Sequence, residues 1–123
     1  FNKVISINPS YQQAFNMRGL VKRELGQLNN SLEDFNQAIQ VDPKYANAFT
    51  NRGGAKYALK DYEGAIADHS KAIEIVPEER NYYFNRANAR KEIGDLKGAC
   101  EDWERAADLG DEEAEKLLEE NRE

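Results

Sequence analysis

The sequence predicts an all-α fold in which antiparallel helix hairpins stack into an α-solenoid. The 123-residue chain matches itself at an offset of 34 residues, apolar residues recur at helical spacing within each matched unit, and each unit opens with proline. This register gives three full units, 9–42, 43–76 and 77–110, of which the first two share 11 identical residues. We therefore expect the whole chain, 1–123, to form one repeat domain.

The matched positions place large, small and charged residues in a fixed order along each unit. They are Pro9, Pro43 and Pro77; Phe15, Phe49 and Tyr83; Arg18, Arg52 and Arg86; Gly19, Gly53 and Ala87; Leu25, Leu59 and Ile93; Ser31, Ala65 and Ala99; Asp34, Asp68 and Asp102; and Ala38, Ala72 and Ala106. We expect the small residues of the first helix in each unit to face those of the second. A single hairpin cannot bury both of its faces, and stacking supplies the missing partner.

The first unit illustrates how each hairpin is expected to form. Ser10 and Gln13 match a capping box at the start of the first helix, and Gly26 ends that helix. A second helix is predicted from about residue 29 to residue 40, before Pro43 opens the next unit.

The two ends of the chain carry partial elements. Residues 1–8 match the end of a preceding unit, so they are predicted to be the second helix of a unit whose first helix is absent. We expect this apolar end to fray or to pair with a second copy in a homo-oligomer, and more repeats to precede it in the full protein. Residues 111–123 are predicted to form a capping helix, because Ala114, Leu117 and Leu118 make one apolar stripe on a charged helix.

These features resemble the tetratricopeptide repeat (TPR) family: the period of 34, the aromatic residue four places before glycine, the alanine and aromatic residues of the second helix, and the closing proline. The resemblance covers almost the whole chain. It implies a right-handed solenoid whose first helices line a concave groove, and a scaffold that binds an extended peptide or partner segment there. One departure is arginine at 18, 52 and 86, where the family usually has leucine.

The candidate peptide-binding residues are exposed positions of the first helices, which this resemblance places in the groove. They are Gln13, Asn16, Met17, Asn47, Asn51, Asn81, Phe84, Asn85 and Asn88. Carboxamides both donate and accept hydrogen bonds, so a row of them can bind the backbone of an extended peptide. Asparagine is a poorer helix former than Glu, Lys or Ala, which favours binding over a merely solvated face.

Part of the family grips the C-terminal carboxylate of chaperone tails with a clamp of Lys, Arg and Asn. Only Asn51 matches that clamp well. Asn16, Leu20, Asn81 and Asn85 stand where its other residues would be, so a tail clamp is not expected. A neutral groove lined by carboxamides should bind with little dependence on salt.

The repeated arginine and the repeated aspartate predict a ladder of ion pairs. Arg18, Arg52 and Arg86 are each expected to bond an aspartate of the same or an adjacent unit, because a guanidinium fork fits a carboxylate. Such a ladder would help to fix how the hairpins stack, without necessarily adding much stability.

Composition and charge argue against other classes of function. The net charge is -6, and no basic surface of the kind that binds nucleic acid is present. No apolar run is long enough to insert into a membrane as a helix. No compartment is identified, although the cytoplasm is favoured, and a piece of a longer protein can lack its targeting segment.

Catalysis, a cofactor and a bound metal are not expected. His69 matches Phe35 and Trp103, and Cys100 matches Leu32 and Ile66, so both are predicted to pack in the interior. No phosphate loop or spacing typical of metal ligands occurs. Two alternatives to a peptide-binding scaffold stay open: a module whose ends drive self-association, and a non-catalytic part of a larger enzyme.

Overall fold

The computed structural model describes residues 11–121, which form seven α-helices and contain no strand. The helices are α1 (Tyr11–Glu24), α2 (Leu28–Val41), α3 (Ala46–Ala58), α4 (Tyr62–Ile75), α5 (Arg80–Glu92), α6 (Leu96–Asp108) and α7 (Glu112–Asn121). The helix predicted for residues 1–8 and the cap predicted at Ser10 lie outside the described residues. None of the described helices has the length and apolar character that crossing a bilayer requires.

The helices form a solenoid. Each helix contacts the next one along the chain, and the first helices of successive hairpins also touch, α1 with α3 and α3 with α5. The all-α solenoid predicted from the 34-residue period is therefore confirmed. Because α3 contacts both α1 and α5, the side chains of these three helices share one continuous face of the stack.

The turn that follows each first helix repeats one hydrogen-bond pattern. Gly26 and Gly94 have φ angles of 81° and 87°, and the amide after each donates to a carbonyl five residues back. The second unit makes the same turn with Lys60 at a φ of 68°. Glycine occupies this left-handed backbone region without strain, whereas lysine does not. Gly26 ends α1 as the sequence predicts.

The core is built from one large ring of each second helix, lodged against a small residue of the first helix. Phe35, His69 and Trp103 are 0%, 1% and 1% exposed. A Cβ placed on Gly19 would lie 2.6 Å from a ring carbon of Phe35, and one placed on Gly53 would lie 2.9 Å from a ring carbon of His69. The nearest neighbours of these glycines are thus rings, and not the small residues that the sequence pairs with them.

The last helix covers the third hairpin. Ala114 and Leu118 of α7 are 0% and 6% exposed and join the cluster around Trp103. Leu117 packs against the same cluster. The thiol of Cys100 lies beside it, 3.7 Å from the carbonyl oxygen of Asn121. The apolar stripe predicted from the sequence is the face of α7 that packs against the third hairpin.

A candidate peptide-binding site on the first helices

A ladder of ion pairs, one in each hairpin, joins the first helices that carry the site to the second helices behind them. In each hairpin the arginine donates to the aspartate 16 residues later, with shortest distances of 2.9 Å for Arg18–Asp34, 2.7 Å for Arg52–Asp68 and 2.8 Å for Arg86–Asp102. All three aspartates are 3% exposed. The predicted ladder is confirmed, and each pair lies within one unit.

Two of the arginines also reach the preceding hairpin. Nη1 of Arg52 donates to Oδ1 of Asn36 at 2.7 Å, and Nη1 of Arg86 donates to Oγ of Ser70 at 3.0 Å. One guanidinium therefore joins the two helices of its own unit to the second helix of the unit before it. This geometry sets the relative position of neighbouring hairpins.

Each aspartate of the ladder has a second cationic partner. Lys22, Lys56 and Arg90 lie 3.0, 3.2 and 2.9 Å from Asp34, Asp68 and Asp102. Burial acts to raise the pKa of the Asp34 carboxyl, but the hydrogen bonds from Arg18 and Lys22 outweigh it, and that pKa lies below its usual value. The Asp34 carboxylate is thus held ionised by α1.

A pocket of about 240 Å³ opens on the face shared by the first helices, and we call it the α3–α5 pocket. It is lined by Arg23, Thr50, Asn51, Gly54, Tyr57, His69, Asn85 and Asn88. Residues from α1, α3 and α5 meet there, with His69 of α4 behind them. The structure therefore brings three of the predicted asparagines, at positions 51, 85 and 88, into one place.

Asn51 is held in this pocket by Asn16. Nδ2 of Asn51 donates to Oδ1 of Asn16 at 2.9 Å, and Nδ2 of Asn16 donates to the hydroxyl of Tyr45 at 3.4 Å. Asn16 is only 6% exposed, because the start of α3 covers it. Asn16 thus orients a pocket residue from behind, and its side chain is not on the open surface that the sequence predicts for it.

Asn85 and Asn88 keep their hydrogen-bonding capacity. Both are half-buried, and between residues 11 and 121 neither carboxamide has a hydrogen-bond partner. A half-buried amide without a protein partner must bind water or a guest. These two side chains are the donors and acceptors that the pocket offers.

Arg23 adds a positive charge that the sequence does not predict in the groove. Its Nη1 donates to the backbone carbonyl of Asn51 at 3.2 Å. It lies 2.5 Å from where a Cβ on Gly54 would stand, so the missing side chain at Gly54 leaves room for it. The pocket is therefore not neutral, and the expectation of a purely neutral groove is corrected by this residue.

His69 closes the back of the pocket as a neutral ring. Its Nδ1 lies 2.8 Å from Oγ1 of Thr50. Burial lowers the pKa of His69 to about 4; the charge of Arg86 adds to this shift, and that of Asp68 opposes it. The predicted interior position of His69 is confirmed.

Comparison with known proteins identifies the architecture. The family model described as "TPR repeat" matches residues 19–60. The first TPR of Spaghetti (RPAP3), solved with the HSP90 peptide SRMEEVD, superposes with a TM-score of 0.87 at 23% identity, covering 91% of this chain and 90% of that one. The chain therefore has the fold of a tetratricopeptide repeat domain. A search of curated protein sequences gives no significant match.

Two further structures carry the same TPR fold. The Arabidopsis OM64 TPR domain has a TM-score of 0.87 at 23% identity and covers 91% of this chain and 94% of its own. The Yersinia enterocolitica secretion chaperone SycD, solved with a peptide of the translocator YopD, has a TM-score of 0.85 at 17% identity, covering 89% and 91%.

The remaining predicted residues lie away from the α3–α5 pocket. Asn81 and Phe84 line a separate pocket of about 470 Å³ between α5 and the start of α7. Asn47 is exposed and accepts a hydrogen bond from the hydroxyl of Tyr82 at 2.8 Å. Gln13 and Met17 are exposed on α1. The nine predicted residues are thus spread over several parts of the first-helix face.

Five pocket residues are absent from the predicted set: Arg23, Thr50, Gly54, Tyr57 and His69. Two of the five, Arg23 and Tyr57, come from the last turn of a first helix. They occupy matched positions at the 34-residue offset, three places after Leu20 and Gly54. Helical spacing puts such positions on the same face as the predicted residues. This helical spacing is the sequence signal that would have added Arg23 and Tyr57 to the predicted binding residues.

Proposed function

We propose that this chain is a protein-interaction scaffold that binds an extended peptide along α1, α3 and α5. The observation that carries the proposal is the α3–α5 pocket, in which Asn85 and Asn88 have no hydrogen-bond partner within residues 11–121. An extended peptide presents backbone amides and carbonyls at regular intervals, and carboxamides can bond both. Tetratricopeptide repeats are typically interaction modules without catalytic activity.

Structures with the same fold support a peptide as the guest. One was solved with an HSP90 peptide and another with a YopD peptide. The recognition chemistry here differs from a clamp of several cations, since Leu20, Asn81 and Asn85 are uncharged. We therefore propose a guest bound mainly through its backbone, with fewer ionic contacts.

A displayed peptide library, followed by titration of synthetic peptides, tests this function. Peptides selected on the 123-residue chain are expected to bind the variant Asn85→Ala/Asn88→Ala at least about tenfold more weakly, since each lost hydrogen bond contributes about 1 kcal/mol. The matched control is Asn29→Ala/Asn30→Ala, which removes two exposed carboxamides from α2. If the two double variants weaken peptide binding equally, or if neither weakens it, the guest binds elsewhere on the chain.

Self-association is the second candidate. Met17 and Val21 of α1 and Leu25 just after it form an exposed apolar stripe, at 56%, 51% and 68% exposure. The residue matching Val21 in the next unit, Ala55, is fully buried. Sedimentation velocity over a hundredfold range of concentration distinguishes the two functions. A monomer throughout would exclude this candidate, and a dimer lost in Val21→Glu would support it.

A further inference from the structure

We propose that the α3–α5 pocket selects peptides by binding one carboxylate of the guest, with Arg23 as the cation. This inference rests on the proposed function, because it names the chemistry of the guest in that same pocket. It departs from a clamp of several cations, since a single guanidinium supplied by α1 carries the charge.

Arg23 is the first step in the argument because its charge is not neutralised. The arginines at 18, 52 and 86 each have an aspartate partner, whereas Arg23 forms no ion pair with any residue between 11 and 121. Its one hydrogen bond within residues 11–121 runs from Nη1 to the carbonyl of Asn51, so Nε and Nη2 have no acceptor among these residues. A guanidinium in this state is a ready partner for a carboxylate.

The position of Arg23 is the second step. Although Arg23 belongs to α1, its guanidinium lies over α3. It donates to the carbonyl of Asn51 and occupies the space that the missing side chain of Gly54 leaves open. The matched positions in the other units carry Tyr57 and Lys91. Tyr57 lines the pocket without a charge, and Lys91 lies over the ring of Trp103, away from it. The pocket therefore receives one cation.

The rest of the lining is the third step. No carboxylate lines the α3–α5 pocket among the described residues, and His69 is neutral because burial lowers its pKa to about 4. Asn85 and Asn88 contribute amide donors from the opposite side. One cation surrounded by neutral donors is complementary to a single negative charge and does not favour a cationic side chain.

The carboxylate could come from an internal Asp or Glu, or from the C-terminus of the guest. The probes are three pools of fluorescein-labelled dodecapeptides in which Asp and Glu are omitted from the randomised positions. The first has a central Glu and an amidated C-terminus, the second a central Gln and an amidated C-terminus, and the third a central Gln and a free C-terminal carboxylate. Fluorescence anisotropy gives the affinity of each pool for the 123-residue chain.

We expect the first or the third pool to bind roughly tenfold more tightly than the second, since charge-assisted hydrogen bonds are about twice as strong as neutral ones. Which of the two does so identifies the source of the carboxylate. Arg23→Gln should abolish this preference, so that the three pools bind the variant with equal affinity. The control Lys97→Gln removes one charge from the exposed surface of α6 and should keep the preference.

Two results overturn the inference. If all three pools bind equally, the pocket has no preference for a carboxylate. If Arg23→Gln weakens every pool by the same factor, any preference does not come from Arg23. The proposed peptide binding stands in both cases. If no pool binds the native chain, the proposed function fails as well. Urea unfolding of Arg23→Gln checks that the variant folds, as expected for a half-buried residue outside the core.

Discussion

The guanidinium of Arg52 and the carboxylate of Asp68 meet in two hydrogen bonds, Nε to Oδ2 at 3.0 Å and Nη2 to Oδ1 at 2.7 Å. The third nitrogen of the same guanidinium bonds Asn36 in the preceding hairpin at 2.7 Å. A single residue thus ties together three helices. The first prediction follows from this arrangement.

Asp68→Asn should lower the free energy of unfolding by about 2 to 4 kcal/mol, because it leaves Arg52 and Lys56 without their buried counter-charge. Urea unfolding measures the change. The control is Glu74→Gln, which removes an exposed carboxylate from the same helix and should cost less than about 1 kcal/mol. If the two variants lose the same stability, the pair is no more than a surface contact.

His69→Phe should remove most of the pH dependence of stability between pH 8 and pH 5. The folded pKa of His69 is about 4 and its ordinary value is 6.5, so the unfolded chain binds the proton first as the pH falls. The contribution is full above pH 6.5 and declines toward pH 4; between pH 8 and pH 5 it amounts to roughly 2 kcal/mol. Urea unfolding at both pH values measures it.

The design is clean because His69 is the only histidine in the chain. Phenylalanine is a suitable replacement, since Phe35 fills the matched position against Gly19. At pH 8 the variant should lie within about 1.5 kcal/mol of the native chain, because the swap nearly conserves volume. An unchanged pH profile in the variant would show that the ring is charged or exposed in the folded chain.

Lys60→Gly should raise the free energy of unfolding by about 0.5 to 1 kcal/mol. Lys60 has a φ of 68°, in the left-handed region that costs an L-residue about 1 kcal/mol. The reverse change, Gly94→Lys, is the matched control in the next unit and should lower stability by a similar amount. Thermal or urea unfolding of both variants measures the two changes in the free energy of unfolding. A loss of stability in Lys60→Gly would mean that the lysine side chain makes a compensating contact.

Gly54→Ala should separate stability from binding. The added methyl would stand 2.5 Å from Nη1 of Arg23, the flexible end of a side chain, which can swing away. Alanine is the better helix former by up to about 1 kcal/mol, so stability should be kept or increased. Affinity for carboxylate-containing peptides should fall as Arg23 is displaced.

The double variant Gly54→Ala/Arg23→Gln provides the control for this prediction. If Gly54 acts by making room for Arg23, the alanine should have no further effect on affinity once Arg23 is replaced. Additive losses would show that the methyl group obstructs the guest directly, and the positioning role of Gly54 would be abandoned.

The fold could be predicted from the sequence because the same helix hairpin is encoded three times. Any one of the matches, such as Arg18 with Arg52, is weak, but the shared period makes them mutually consistent. The ion pairs were predictable for the same reason. Position within a hairpin sufficed for His69 as well, since its counterparts are both large rings.

The site could be predicted only in part because a pocket depends on three helices at once. Helix position alone predicts that Asn16 is exposed, but the turn into α3 brings Tyr45 over it. The guanidinium of Arg23 has room in the α3–α5 pocket because Gly54, in the next unit, has no side chain. Such contacts arise from the angle between hairpins, which a 34-residue period does not specify.

The most direct test of peptide binding on the first helices is side-chain amide mapping by NMR. A ¹⁵N-labelled 123-residue chain is titrated with a peptide selected from the library, and the carboxamide signals of all asparagines are followed. The account predicts the largest shifts at Asn51, Asn85 and Asn88, with little change at Asn29, Asn30 and Asn36 of α2. Largest shifts at the three α2 asparagines, with Asn51, Asn85 and Asn88 undisturbed, would contradict it.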